Sequence, residues 1–330
     1  MGRVLEGYDP ELQRAVAIKV LFDPHCVTES QLTRFVAEAQ VTGQLDHPGI
    51  VPVHEIGLTE DGQLFFVMRK VVGRSLADVI EALAAADAST AREWSRHRLL
   101  SAFVQICNAV AFAHDRGVLH RDLKPDNIML GRFGEVMVMD WGVSRLLEED
   151  DAAATEDSVP GRTARTMVGA SIGTPGYMSP EQARGDMAAI DERSDLWSLG
   201  AILFAMLTHQ GAIRGDDPVA MLVKTASDSP ADPQRRAPGR RIPDEIAQIC
   251  RRAMALHPDD RFASAEELGR AVADFLEGSR RREQAEALVA QAKRIHPEVE
   301  RLRKEATALR ERARQRQRQI PLYAPIEQKE

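Results

Sequence analysis

His120-Arg121-Asp122-Leu123-Lys124-Pro125-Asp126-Asn127, followed thirteen residues later by Asp140-Trp141-Gly142, is the stretch on which the reading of this chain turns. It gathers a candidate proton acceptor (Asp122), a cation (Lys124) and two oxygen donors suited to a hard metal ion (Asn127 and Asp140) onto two neighbouring loops. Transfer of a phosphoryl group needs that combination, because its catalysis is mostly positioning and stabilisation of spread negative charge. The bland alternative is a charged turn that spells an octapeptide and a tripeptide by chance, and the surrounding sequence argues against it.

Upstream, Arg14-Ala15-Val16-Ala17-Ile18-Lys19-Val20-Leu21 is apolar around a single Lys, as a buried strand is. Thr28-Glu29-Ser30-Gln31 reads as a capping box opening a helix, and Leu32, Phe35, Val36 and Ala39 give that helix one apolar face. Glu38 lies near the end of the face, nineteen residues after Lys19. Taken singly, such a Lys is ordinarily a snorkelling surface residue and such a Glu a solvated one. Beside the other motifs they read as a pair. Downstream stand Gly173-Thr174-Pro175-Gly176-Tyr177-Met178-Ser179-Pro180-Glu181 and Ser194-Asp195-Leu196-Trp197-Ser198-Leu199-Gly200. The latter opens an apolar run to Leu207, too long for a typical strand and read as a buried helix. Asp259-Asp260-Arg261-Phe262 closes the series.

In this order, over residues 2 to 277, the motifs resemble those of bacterial eukaryotic-like (Hanks-type) Ser/Thr protein kinases: V-A-I-K, H-R-D-L-x-x-x-N and D-F-G, the last with Trp141 in the Phe position. The resemblance implies an α+β, two-lobed protein kinase fold, with a small β-rich N-lobe carrying one helix, a large helical C-lobe and a C-terminal helical extension. Residues 1–71 would be the N-lobe, 72–277 the C-lobe and 278–330 a basic, coiled-coil-like extension. By the same resemblance Asp122 orients the substrate hydroxyl and accepts its proton, and Lys124 neutralises the transferring group. Thr174 with Lys124 marks the Ser/Thr rather than the Tyr class. Lys19 holds the α/β-phosphates of ATP under the direction of Glu38, while Asn127 and Asp140 bind Mg²⁺, with Mn²⁺ as the alternative ion. Gly2, Val4, Ala17 and Met68 join Lys19, Lys124, Asn127 and Asp140 around the nucleotide. Met68 takes the gatekeeper position and Arg69-Lys70-Val71 the hinge, where Arg69 replaces the common Glu. Asp195 is expected to hold the backbone of the catalytic loop, and Arg261 to pair with Glu181.

The implied activity is transfer of the γ-phosphoryl group of ATP to Ser/Thr hydroxyls of protein substrates, raised by phosphorylation of the activation segment. Arg121 carries that expectation, because in relatives with this Arg it pairs with a phosphate on the segment. Thr166, eight residues before Thr174, is the favoured acceptor, with Thr163 and Ser171 beside it. Thr155 and Ser158 sit among Glu148, Glu149, Asp150, Asp151, Glu156 and Asp157, where a phosphate is repelled. The alternative from another class is a kinase-fold scaffold with impaired nucleotide binding that works through its helical tail.

Secondary-structure patterns agree with two lobes. Val51 to Ile56 and Leu64 to Val71 read as strands joined by a turn at Asp61-Gly62. Ala82 to Ser95 reads as a loop insertion before a long helix from Leu99 to Arg116. Val136, Val138 and Met139 form the short strand that delivers Asp140. Ala152-Ala153-Ala154 and the neighbouring acids lie in a long activation segment, and long loops of this kind are functional or disordered.

Two features depart from the family. The glycine-rich loop needs three glycines so that backbone N–H groups close over phosphates, and only its end is present, as Gly2-Arg3-Val4. The expected explanation is a misplaced start or a clipped chain, the alternative a natural truncation that leaves the site without its lid. The second departure is the tail. Leu288, Ile295, Leu302 and Leu309 recur every seven residues, with Ala292, Val299, Ala306 and Ala313 four positions after each. Pro297 interrupts the pattern. Either one kinked helix pairs two chains through residues 285–316 as a homodimer, or two helices form a hairpin with Pro297 at the first turn of the second. Similar basic helical tails in multidomain kinases imply a sensor or effector region continuing after Glu330.

The whole chain fits an ordinary globular protein of 330 residues, 44% apolar and 28% charged. No stretch of eighteen continuous apolar residues spans a bilayer, and no secretory pattern opens the chain. Cys26, Cys107 and Cys250 are scattered and form no C-x-x-C pair, which favours buried thiols in a reducing compartment; a cytoplasmic location is expected. Against the net charge of −7, residues from Ser279 to Glu330 carry fourteen basic and eight acidic side chains. A solvated helix face accounts for that imbalance better than a nucleic-acid partner, and none is expected.

Overall fold

The structure is a computed structural model that describes residues 2–21, 28–141, 173–215 and 217–319. The chain divides into two compact units, Met1–Leu276 and Glu277–Glu330.

The first unit opens with two hairpins. Strands β1 (Gly2–Asp9) and β2 (Arg14–Leu21) pair antiparallel, as do β3 (Val53–Leu58) and β4 (Leu64–Arg69), and the sheet order is β1-β2-β4-β3. The second hairpin turns at Gly62, whose φ of 76° lies in the left-handed region that glycine enters without a Cβ clash. Register matters most on β2. Lys19 stands opposite Val4 on one side and Phe66 on the other, and Ala17 stands opposite Met68.

Helix α1 (Glu29–Gln44) covers this sheet. Thr28 and Gln31 form the reciprocal capping box expected from sequence, each side chain bonding the other's backbone N–H. Phe35 and Ala39 are buried, and the Phe35 ring lies 5.0 Å from that of Phe66. Leu32 is exposed, one turn too early on the helix to reach the core. The small core of this lobe comprises Leu21, Phe35, Ala39, Val51, Phe66, Met68 and Met137. Met137 belongs to the second sheet, so this core also ties the lobes together.

That second sheet is short: β5 (Gly73–Ser75), β6 (Ile128–Gly131) and β7 (Val136–Val138), antiparallel in chain order. The helices around it are α2 (Leu76–Ala84), α3 (Ala88–Glu93), α4 (Arg96–His114), α5 (Pro180–Arg184), α6 (Glu192–Thr208), α7 (Pro218–Ser227), α8 (Pro233–Arg236), α9 (Asp244–Ala253) and α10 (Ala265–Gln319). Helix α6 is the axis of the lobe, buried continuously from Ser194 to Thr208. An added Cβ at Gly200 would lie 2.6 Å from Met254 Cγ and 2.9 Å from Ala253 Cβ, so glycine here lets α6 and α9 approach closely.

Three expectations change. The Ala82–Ser95 insertion is mostly helical, because Asp87 caps α3 by accepting from Thr90 N–H and Trp94 is buried behind it. Strand β3 begins at Val53, not Val51, and β4 ends at Arg69, not Val71. The long helix starts at Arg96, where Ser95 caps it, and ends at His114.

The second unit consists, among the described residues, of the later turns of α10. Pro297 lies inside that helix, so the hairpin of two helices is not formed. Leu288, Ile295, Leu302 and Leu309 are all exposed.

Candidate active site

The loop from His120 to Asn127 is anchored by α6. Asp195, 1% exposed, receives the backbone N–H of His120 and the Nε2 of His114 on Oδ2 and the N–H of Arg121 on Oδ1, each at 2.8 Å. Burial alone would raise the Asp195 pKa; the hydrogen bond and charge of His114, with the His120 contacts, outweigh it and hold the carboxyl below its ordinary value. Arg121 needs this grip, because its φ of 62° is unusual for a residue with a Cβ. Its carbonyl is held as well, accepting from Gln182 Nε2 at 2.7 Å. Gripped on both sides, the left-handed residue turns the chain so that Asp122 faces the cleft. Strain of this kind persists where the surroundings over-determine it.

Asp122 lies between a hydroxyl and an ammonium. Thr174 Oγ1 donates to Asp122 Oδ1 at 2.8 Å, and Lys124 Nζ donates to Asp122 Oδ2 at 2.8 Å and to Thr174 Oγ1 at 2.7 Å. The triangle joins the catalytic loop to the segment fifty residues later, and it brings together three of the residues singled out in sequence. Asn127 is tied to the same loop through Nδ2, which donates to the Asp122 carbonyl at 2.9 Å. That bond fixes the amide orientation and leaves Oδ1 as an oxygen donor.

Asp140 is delivered by backbone clamps. Met139 N–H donates to the Asn127 carbonyl at 2.8 Å, and the Met139 carbonyl lies 2.9 Å from His120 Nε2. Since His120 Nδ1 accepts from Asp122 N–H, Nε2 carries the proton and donates to Met139. The His120 ring also lies 4.9 Å from that of Trp141, tilted by 57°, and the Trp141 indole N–H bonds the Val138 carbonyl. Trp therefore fills the Phe position as a fully buried anchor. The next turn of chain puts Asp140 at φ 60°, a second left-handed residue with a Cβ.

Across the cleft, Lys19 Nζ lies 2.5 Å from Glu38 Oε1 and 3.0 Å from Asp140 Oδ1. Burial would lower the Lys19 pKa, but the Glu38 and Asp140 carboxylates outweigh it and raise it. Glu38 is also raised: burial is the main cause, and the charge of Asp140 adds to it against the pull of Lys19. Of the three groups Asp140 is the most open, with 47% of its side chain exposed. The site thus presents a carboxylate and an amide oxygen, the donors that a hard divalent cation prefers, beside a fixed ammonium.

The remaining nucleotide candidates lie on the sheet above. Ala17 and Met68 face each other in register and share the N-lobe core, with Met68 buried. Gly2 and Val4 lie on β1 opposite Leu21 and Lys19; an added Cβ at Gly2 would meet the Val20 carbonyl at 2.8 Å, while Val4 is exposed. Glu181 and Arg261 form a buried two-pronged pair at 2.8 and 2.9 Å. Gly142, Cys26, Ala152–Ala154 and the hydroxyls of Thr155, Ser158, Thr163, Thr166 and Ser171 lie outside the described residues. Sequence reasoning missed Gln182 and His114. Gln182 had a local signal, as the fourth residue of a Ser179-x-x-Gln182 capping box that the structure contains. His114 had none, since its partner is 81 residues away.

Two lobes, a clamped Asp-Lys-Thr triangle and a Lys-Glu pair across the cleft are the arrangement that the sequence motifs led us to expect. The protein kinase domain family matches residues 1–271, and the chain belongs to that family. It is 35% identical over 286 residues to the serine/threonine-protein kinase PknD of Chlamydia caviae, an alignment covering 84% of this chain and 30% of that relative. The PknD of Protochlamydia amoebophila is 34% identical with 84% and 29% covered, and that of Chlamydia trachomatis 35% identical over 291 residues with 84% and 30% covered. The chain therefore spans about 30% of the length of the curated relatives it matches. Among the described residues, no helix is long and apolar enough to cross a membrane.

Proposed function

We propose that this chain is a Ser/Thr protein kinase catalytic domain that transfers the γ-phosphoryl group of ATP to protein hydroxyls. The observation that carries the reading is the Asp122 carboxylate, fixed between Lys124 and Thr174 on a loop pinned by Asp195. The reading assigns residues 1–71 to the N-lobe, 72–277 to the C-lobe and 278–330 to the extension. Asp122 orients the incoming hydroxyl and takes its proton, which needs a carboxylate within hydrogen-bond reach of the hydroxyl. Lys124 meets the charge on the transferring group, and Thr174 holds both side chains in line. Lys19, aimed by Glu38, holds the α/β-phosphates under Gly2, Val4, Ala17 and Met68.

Asn127 Oδ1 and the Asp140 carboxylate would hold Mg²⁺, or Mn²⁺ in its place. When bound, the ion would supply positive charge against the phosphates of the nucleotide. A phosphate on Thr166, or on Thr163 or Ser171, would order the activation segment by pairing with Arg121 through charge-assisted hydrogen bonds. Self-association through residues 285–316 is the second part of the reading, supported by the continuous helix and its exposed seam. Dependence on ATP fits a cytoplasmic reaction.

The test is metal-dependent transfer. Asp140→Asn keeps the shape but removes a ligand charge, so Mg²⁺-dependent phosphorylation of a generic protein such as casein should be lost while circular dichroism stays unchanged. Full activity with unaltered Mg²⁺ dependence would overturn the assignment, and a folded wild-type chain inactive with every acceptor would favour the scaffold.

A further inference from the structure

Among the described residues, the second unit carries an exposed apolar seam. Leu288, Ile295, Leu302 and Leu309 are 66%, 49%, 52% and 63% exposed, and Val289 beside them is 52% exposed. Single apolar residues on a surface need no explanation, but a contiguous row does. With the Leu/Ile row at d, the a positions are Ala285, Ala292, Val299, Ala306 and Ala313. Pro297 then falls at f, facing away from the seam, and the helix continues through it.

The flanking charges select the partner and its direction. In this register Glu298 and Glu305 occupy g, and Arg303 and Arg310 occupy e. In a parallel, in-register pair, each g residue meets the e residue five positions later on the other helix. Glu298 then faces Arg303 of the second copy, and Glu305 faces its Arg310; two-fold symmetry repeats both contacts. An antiparallel overlay instead sets g against g and e against e, opposing Glu to Glu and Arg to Arg. Charges at e and g set partner choice and orientation in coiled coils, and like-charge juxtaposition suppresses the wrong arrangement.

We infer that the chain binds a second copy of itself through a parallel, in-register coiled coil over residues 285–316, with alignment set by the Glu298–Arg303 and Glu305–Arg310 pairs. The inference rests on the self-association part of the proposed reading and is independent of phosphotransfer, so its readouts are mass and cross-linking, not activity.

The full chain is studied by light scattering, as wild type and as E298R/E305R and R303E/R310E. The wild type should have the mass of a dimer, each charge-reversed variant alone half that mass, and an equal mixture of the two variants the dimer mass again. All four positions are on the exposed helix, so both variants should fold. Direction is read by cross-linking in a Cys26→Ser background, since Cys107 and Cys250 are buried. Ala313→Cys should form a disulfide with itself under mild oxidation and should not cross-link to Ala285→Cys in a mixture. A monomeric wild type would overturn self-association itself. A dimer that survives in both charge-reversed variants, or an Ala285→Cys to Ala313→Cys cross-link, would overturn the parallel register while leaving self-association standing.

Discussion

Lys19, Glu38 and Asp140 place one cation between two carboxylates, and their protonation sets a pH dependence with a definite sign. Glu38 has a raised pKa, so as pH falls it takes up a proton above the ordinary glutamate range, and the pair with Lys19 weakens there. Lys19 is raised, so its charge persists above the ordinary lysine range. Asp195 and Glu181 run the other way: their values are lowered, so their contribution to stability is complete above the ordinary carboxylate range and is lost as pH falls through the lowered values. Phosphotransfer should therefore fail at a higher pH than the fold, seen as an acid limb of kcat/KM lying above the acid transition in circular dichroism. Coincidence of the two would contradict the assignment of Glu38. The pair also makes a kinetic prediction. Lys19→Met and Glu38→Ala should each lower kcat/KM strongly, and the double variant should be little worse than either, because residues acting as a unit are non-additive. Independent losses would mean that the side chains do not work together.

At the scale of elements, the pattern of apolar residues was enough for the strands around Lys19 and for α6, and the Thr28 capping box marked the start of α1 correctly. The Ala82–Ser95 segment was misread because its short helix depends on Asp87 as a cap and on burial of Trp94, and Ala-rich polar sequence shows neither by periodicity. The Asp122 triangle was legible because its residues sit in quoted motifs. The parts played by Gln182 and His114 were not, since Gln182 reaches the Arg121 carbonyl across 61 residues and His114 reaches Asp195 across 81, and no local spacing encodes such contacts. Glu181–Arg261 shows what a long-range pair contributes. The Arg261 guanidinium is fully buried beside Trp197 and also bonds the Arg193 carbonyl. Removing one partner strands the other charge, so Arg261→Met or Glu181→Ala should each destabilise the fold by about 3–5 kcal/mol. Replacing both with apolar residues of similar volume should recover much of that loss. Denaturant unfolding of the single and double variants checks it, and equal midpoints for single variant and wild type would refute it.

Across the whole molecule, the first unit announced itself through motif order, while the tail did not reveal its conformation. A proline within a heptad pattern is compatible with a kink or with a new helix start, and the choice depends on whether one lost hydrogen bond is tolerated on an exposed helix. The structure keeps one helix from Ala265 to Gln319. The central claim is chemical and belongs to the first unit: Asp122 serves transfer of phosphate from ATP to a protein hydroxyl. Its most direct measurement is incorporation of label from γ-labelled ATP into a generic protein acceptor, comparing wild type with Asp122→Asn at matched fold. Asn keeps the bond from Thr174 but cannot take a proton, so incorporation should fall by about 100-fold or more, within the range for loss of a general base. Equal incorporation by the two proteins would contradict the account.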